Sequence, residues 1–279
     1  VWVGYYNTIL NTVVATVGGQ ASTTYTIDAN DKEIVATSSD AVIVMPIITN
    51  VVTNDTFFRY FDEEGMLLDT IPFDELIFQG DFSDLVDVII ITDEITLTSD
   101  NAVLNNIALS ILGDDVVVNG FSFNADADFT TNGGAVVYVS GMDVTLDNIS
   151  VTYDAPSAVE AKAVFANGAD GFNLINSEII FTGVNPGDKH NRGLEVRNTD
   201  DAVINNNTIN ATLPAVSVSW GGSGIDQDLV LAVGIQGGDG VEFTNNRVNV
   251  NTKGSVGSYP TVDAVMIHSA ADILIKGNN

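Results

Sequence analysis

Residues 187 to 198, GDKHNRGLEVRN, hold Lys189, His190, Arg192 and Arg197, four of the eleven Lys, Arg and His residues in the chain. Elsewhere the charge is acidic: 9 basic side chains face 37 acidic ones, for a net charge of −28. On that background a local basic cluster can bind an anionic glycan, because guanidinium and ammonium groups match carboxylate oxygens. The other reading is a solvated loop pairing with nearby Asp and Glu, which contributes little on a surface.

Carboxylates suggest a second chemistry. Asp115, Asp143, Asp170, Asp201, Asp239 and Asp272 recur at one place in a repeat described below. Stacked oxygen ligands of this kind would select calcium, the one cofactor the composition suggests. Alternatively each Asp bonds the backbone of its own turn. The stretch GGSGIDQDL, residues 221 to 229, approaches a calcium-binding nonapeptide and offers Asp226 and Asp228 as metal candidates. It occurs once, with its apolar position displaced by one, whereas such sites need successive copies.

Composition removes several partners. The net charge repels phosphate backbones and anionic headgroups, so nucleic acid and membrane surfaces are excluded as main partners. There is no cysteine, hence no disulfide framework and no thiol site. The opening VWVGYYNTILNTVVATVGG has no basic leader and is too polar to span a membrane. The first residue is not Met and the last, ILIKGNN, stop in mid-pattern, so the expectation is an internal piece of a longer chain with other modules beside it.

The elements that must position these groups come from an internal repeat. The spacing apolar, x, apolar, x, Asn, x, x, apolar, x, apolar fits Val144, Leu146, Asn148, Val151 and Tyr153, then Phe172, Leu174, Asn176, Ile179 and Phe181. It fits again at Ala202, Ile204, Asn206, Ile209 and Ala211, and at Val241, Phe243, Asn245, Val248 and Val250. Earlier and later copies carry Gly120 and Gly277, and the Asn/Gly positions lie 28, 28, 30, 39 and 32 residues apart. Another alternating stretch and an Asp/Gly turn precede each anchor. Its inward pairs read Val136/Tyr138, Val164/Ala166, Leu194/Val196, Val233/Ile235 and Val265/Ile267.

One repeat is therefore strand, turn, strand, Asn corner, strand and a variable loop. Period 2 within strands and a period near 30 overall define a right-handed parallel β-helix, an all-β solenoid. Its coils rise by about 4.8 Å each, so Asn148, Asn176, Asn206 and Asn245 form a structural ladder of stacked amides. The sequons are Asn54, Asn148, Asn206 and Asn210; the ladder closes Asn148 and Asn206, leaving Asn54 and Asn210 for glycosylation.

The repeat puts two rows on one outward face: Val139, Asn167, Arg197, Gln236 and His268, and beside it Val137, Phe165, Glu195, Gly234 and Met266. A lyase needs a base and clustered carboxylates for calcium, and a hydrolase needs two carboxylates about 5 to 9.5 Å apart. Neither row holds such a carboxylate group, so no catalytic residue is assigned. Glu195, Arg197, Gln236 and His268 instead make a polar patch that, with Lys189, His190 and Arg192, suits glycan binding. Long loops leave after each third strand, at 154 to 162, 182 to 192, 212 to 230 and 251 to 262. They share one flank, and Trp220 there either stacks on a sugar ring or pins its own loop.

A solenoid needs capped ends. Residues 56 to 66, TFFRYFDEEGM, read as a short amphipathic helix with Thr56 as N-cap, and 72 to 112 as strands opening the coil. The division is then a small N-terminal β region at 1–55, a cap with first coils at 56–112, and regular coils at 113–279.

The arrangement resembles the pectate-lyase-like parallel β-helices. More narrowly, FFRYFDEEG, DELIFQGDFSD, ITLTSDNAVLNN and VINNNTIN resemble the adhesin-like surface proteins of methanogenic archaea. That resemblance implies a secreted segment at the cell surface or envelope, attaching cells through a glycan or a partner-cell surface. Its alternatives are a polysaccharide lyase or hydrolase working in a groove on the coil, and a trimeric phage tailspike.

Overall fold

The computed structural model describes residues 2–7, 12–17, 23–26, 33–38, 41–46, 49–156, 160–184, 191–214, 216–217, 230–253, 260–261 and 263–279. The chain divides into two units, Val1–Thr49 and Asn50–Asn279. In the first, strands Trp2–Asn7, Thr12–Val17 and Thr23–Thr26 form an antiparallel sheet, and Glu33–Ser38 pairs antiparallel with Ala41–Pro46.

The second unit is a right-handed parallel β-helix with three faces. Sheet 1 stacks Val88–Ile91, Ala108–Ile111, Ala135–Val139, Ala161–Asn167, Asn191–Arg197, Val230–Gln236 and Asp263–His268, all parallel. Sheet 2 stacks Val117–Asn119, Thr145–Asp147, Asn173–Ile175, Val203–Asn205, Glu242–Thr244 and Leu274–Lys276. Sheet 3 stacks Ser122–Ala125, Ser150–Asp154, Glu178–Thr182, Thr208–Pro214 and Arg247–Lys253. Two earlier strands, Glu75–Phe82 and Thr96–Asn105, run through the corner and serve sheets 2 and 3 together.

Inward columns such as Leu146, Leu174, Ile204 and Phe243, or Val151, Ile179 and Ile209, are buried. Each large apolar side chain so buried stabilises the coil by about 1.5–3 kcal/mol relative to exposure. Alternation in the first regular coil is displaced by one from the sequence reading. Val137 and Val139 face inward and Tyr138 pairs outward with Phe165, because Val136 and Val137 are both apolar and give no register by themselves.

The cap also starts earlier than the sequence suggests. It is a 3-10 helix, Asn54–Arg59, with Thr53 as N-cap; the Thr56 hydroxyl accepts from the Thr53 N–H at 2.9 Å. Phe57 stacks on Phe61 at 4.6 Å, Phe61 lies 6.0 Å from Phe78, and Phe78 lies 5.1 Å from Phe121, so aromatic rings close the first coils.

The corners explain the three consecutive asparagines at 205–207. Gly120, Asn148, Asn176, Asn206, Asn245 and Gly277 all have φ between 53° and 79°, the left-handed region that Gly and Asn tolerate. The Asn148, Asn176, Asn206 and Asn245 side chains are exposed. The buried ladder lies one residue further on. Asn246 Oδ1 accepts from the Asn207 N–H at 2.9 Å while its Nδ2 donates to Ile204 O at 2.8 Å. Asn207 Oδ1 accepts from the Ser177 N–H at 2.9 Å, and Asn278 Oδ1 from the Asn246 N–H at 2.7 Å. A sharp corner turns these N–H groups inward, away from any strand partner, so an inward amide satisfies them.

Tyr153, in the inward column of sheet 3, is buried between Phe129 at 5.7 Å and Phe181 at 5.9 Å. Its hydroxyl makes no well-formed hydrogen bond among the described residues, and its interaction with the Phe129 backbone is a weak one. Burial, aided by the charge of Asp128 and weakly opposed by the Phe129 backbone, pushes its pKa up to about 12. An unfolded tyrosine ionises near pH 10. Between there and pH 12 the unfolded chain releases a proton that the folded chain keeps, so stability is full below pH 10 and falls as pH rises through the window. Tyr153→Phe should be at least as stable at neutral pH, because a poorly bonded buried hydroxyl is costly, and should lose less over that window. Urea denaturation of both proteins from pH 9 to 12 checks this; parallel curves would discard the assignment.

Candidate functional site

The outward face of sheet 1 carries an ion cluster that strict alternation hides. Pairing runs Lys162 with Arg192 and Val164 with Leu194, skipping Ala163 and Gly193; it likewise skips Gly193 and Ala232 in the next coil. Ala163 and Ala232 belong to the core, and a Cβ on Gly193 would meet Ile209 in the core at 3.6 Å. Two successive residues thus face inward in each coil, an irregularity of the kind that re-aims side chains. Its effect is to turn Lys162 and Arg192 outward beside Phe165 and Glu195.

Glu195 is the centre. Its Oε1 pairs with Arg192 Nη1 at 2.7 Å and with Arg197 Nη2, and its Oε2 lies 3.6 Å from Lys162 Nζ. The Glu195 and Lys162 side chains are 0% exposed and that of Arg192 is 1% exposed. Lys162 Nζ also donates to Glu160 Oε1 at 2.6 Å and to Gly133 O at 2.7 Å. Gly234 makes room for Arg192, since a Cβ there would come within 3.2 Å of its guanidinium. The Phe165 ring lies between two cations, with Lys162 Nζ 4.7 Å and the Arg197 guanidinium carbon 5.5 Å from its centre, and Tyr138 packs edge-on at 5.5 Å.

Arg197 alone of the three cations reaches solvent, with its side chain 30% exposed. It stands in a row with Asn167 on one side and Gln236 on the other, each one coil away, and His268 follows. In the coils before Asn167 that row continues to Ser140, where the sequence reading put Val139; Val139 is inward and buried. His268 is exposed, and its Nδ1 lies 3.0 Å from Ser269 Oγ.

Of the sequence candidates, the structure therefore brings together Arg192, Glu195 and Arg197 and sets Gln236 and His268 along their row. Lys189, His190, Trp220, Asp226 and Asp228 lie outside the described residues. Lys162 escaped the sequence reading because strict alternation places it inside; a lone lysine at an inward position was the available signal. Among the described residues the loops after sheet 3 meet in a short antiparallel ladder, Val216–Ser217 with Pro260–Thr261.

The predicted aspartate column divides between two adjoining rows, one of which bonds between coils through Asp170 and its neighbour Asp200. Asp170 Oδ1 accepts from the Asp200 N–H at 2.9 Å, and Asp200 Oδ1 from the Asp239 N–H at 2.8 Å. Asp115, Asp143, Asp201 and Asp272 take left-handed turn positions. No group of three or more metal-ligating side chains converges among the described residues. Asn54 is exposed at the cap with its Oδ1 accepting from the Ser83 N–H at 3.3 Å. Asn210 lies within sheet 3, half-buried, donating to Glu178 at 3.3 Å and accepting from Asn249 at 2.8 Å.

Chemically, the Glu195 carboxylate has no exposed surface and is ion-paired chiefly through Oε1, so it does not meet a substrate on this face as general catalysis requires. It can orient Arg197. A guanidinium fixed by a buried anion and an aromatic face presents its exposed edge in a set direction, suited to carboxylate or hydroxyl oxygens.

No family model and no curated protein matches the chain. Among solved structures, it is similar to the Streptococcus pneumoniae surface protein and adhesin PfbA at 11% identity and a TM-score of 0.32, over 82% of this chain and 72% of that one. It is also similar to the periplasmic alginate epimerase AlgG, at 10% identity and a TM-score of 0.31, over 82% of this chain and 62% of that one. No residue role carries over at this level of likeness.

Proposed function

We propose that the chain is a segment of a cell-surface adhesin, a rigid, non-catalytic β-helical stalk outside the cell that binds an anionic glycan along the outward face of sheet 1. The observation that supports it most is Arg197, held at the surface by buried Glu195 and Phe165 in a row with Asn167 and Gln236. Ordering cost is a large part of weak binding, and a pre-oriented guanidinium reduces it. A row of polar groups spaced by about 4.8 Å suits a linear polymer lying along the coil. The local cation also fits an anionic ligand despite the overall charge, whose long-range repulsion salt screens beyond about 8 Å.

The second reading is a polysaccharide lyase. In that reading Arg197, which alone of the three cations reaches solvent, neutralises the carboxylate of the sugar that loses its proton.

One experiment separates the two. The purified chain is incubated, with and without calcium, with plant, host and microbial polysaccharides, and followed by size-exclusion chromatography and by ultraviolet absorbance of any new double bond. Co-elution with an intact polymer, weakened about 10- to 100-fold by Arg197→Ala, is expected; that range corresponds to one hydrogen bond to a charged group. A shortened polymer or a new double bond would establish the enzyme instead. Binding unchanged by Arg197→Ala would remove the row from the site.

A further inference from the structure

The corner between sheets 2 and 3, on the side of the coil away from the Arg197 row, carries an asparagine with no structural task for its side chain. Asn148 is exposed, its φ is 53°, and its amide makes no hydrogen bond among the described residues. The neighbours in its column leave it free on both sides. Asn176 turns its amide to Asp147 Oδ1 at 2.8 Å, and the preceding corner is Gly120, which has no side chain. Asn148 begins the sequon Asn148-Ile149-Ser150, in which Ile149 is buried in the core and Ser150 points outward in sheet 3.

We propose that Asn148 is an N-glycosylation site. The other sequons within the coil differ from it. Asn206 stands between Asn176 and Asn245 and donates to Asn176 Oδ1 at 2.8 Å. Asn210 is half-buried with both ends of its amide engaged. A glycan on either would have to share its amide with a side chain of the neighbouring coil, whereas the corner before Asn148 is Gly120, which sets no side chain against it. The donor is a polyprenyl-diphosphate-linked oligosaccharide brought by an oligosaccharyltransferase. Asn148 Nδ2 forms a bond to the anomeric carbon, the bond from that carbon to the diphosphate oxygen breaks, the lipid diphosphate leaves, and the amide gives one proton to a base of the transferase. The site is independent of the glycan-binding reading, because it lies on another face and needs no ligand on sheet 1.

The test is secretion of the full chain from an N-glycosylating host, followed by enzymatic deglycosylation in heavy-oxygen water, which marks formerly occupied asparagines for peptide mass mapping. The mark is expected at Asn148 and absent from Asn206 and Asn210, with the same melting temperature before and after deglycosylation. Ser150→Ala destroys the sequon while keeping Asn148 at its corner, and should remove one glycan mass from the folded protein. An unmarked Asn148 in secreted, folded chain overturns the proposal, whether or not Asn54 is occupied. Equal marking of Asn206 or Asn210, or a glycan mass unchanged by Ser150→Ala, overturns it as well.

Discussion

Glu195→Gln is expected to lower the unfolding free energy by about 3–5 kcal/mol, the usual cost of removing one partner from a buried ion cluster. The substitution keeps the shape and removes the charge, so the loss isolates electrostatics from packing. Lys162 would keep Glu160 and Gly133 O, but Arg192 and Arg197 would lose the carboxylate they share, at a place where Glu195 and Arg192 have essentially no solvent. Urea denaturation with an unchanged slope is the measurement. A loss below about 1 kcal/mol, the level of an exposed pair, would mean that water reaches the cluster. A triple substitution, Lys162→Met, Arg192→Leu and Glu195→Leu, should recover much of the loss, since apolar replacement of a complete buried ion set is often neutral. It should not recover glycan binding, because Arg197 would have lost its orienting anion.

Asn246→Ala should be the next most damaging change. It leaves the Asn207 N–H without its partner inside the coil and takes one donor from the Ile204 carbonyl, at roughly 1–3 kcal/mol for the orphaned N–H. Asn245→Gly, one residue earlier, should change stability little. That side chain is exposed, its bond to Asn205 Oδ1 at 3.0 Å lies at the surface, and Gly accepts φ of 56° without strain. Melting temperatures of the two variants give the comparison. Equal losses would mean that the exposed column, and not the buried one, holds the coils in register.

The contrast between those two residues shows how far the sequence could be read. The triplet Asn205, Asn206 and Asn207 looks uniform, yet its members have three tasks. Asn205 accepts from Asn245 and Thr244 on the outer face, Asn206 forms the left-handed corner, and Asn207 is buried in the inner ladder. The corner was legible because Gly and Asn alone recur at that place in the repeat, where φ is positive. The inner ladder was not, because its row also contains Ile149 and Ser177, so no single residue type repeats at that spacing.

Local chemistry along the chain was enough for the architecture: alternation within strands, left-handed corners at a period near 30, and an acidic surface with few cations. These are short-range properties, set by backbone sterics and by the burial of alternate side chains, and each coil repeats them. Of the candidate site, Arg192, Glu195 and Arg197 were legible in the sequence, but their assembly around one buried carboxylate and the membership of Lys162 were decided by tertiary structure. Lys162 and Glu195 are 33 residues apart in sequence, and they meet because stacked coils bring neighbouring strands side by side and a skipped pair turns Lys162 outward. Which cation is buried and which reaches solvent depends on everything packed over the sheet. Burial is a property of the assembled surroundings, and the order of residues along one strand does not contain it.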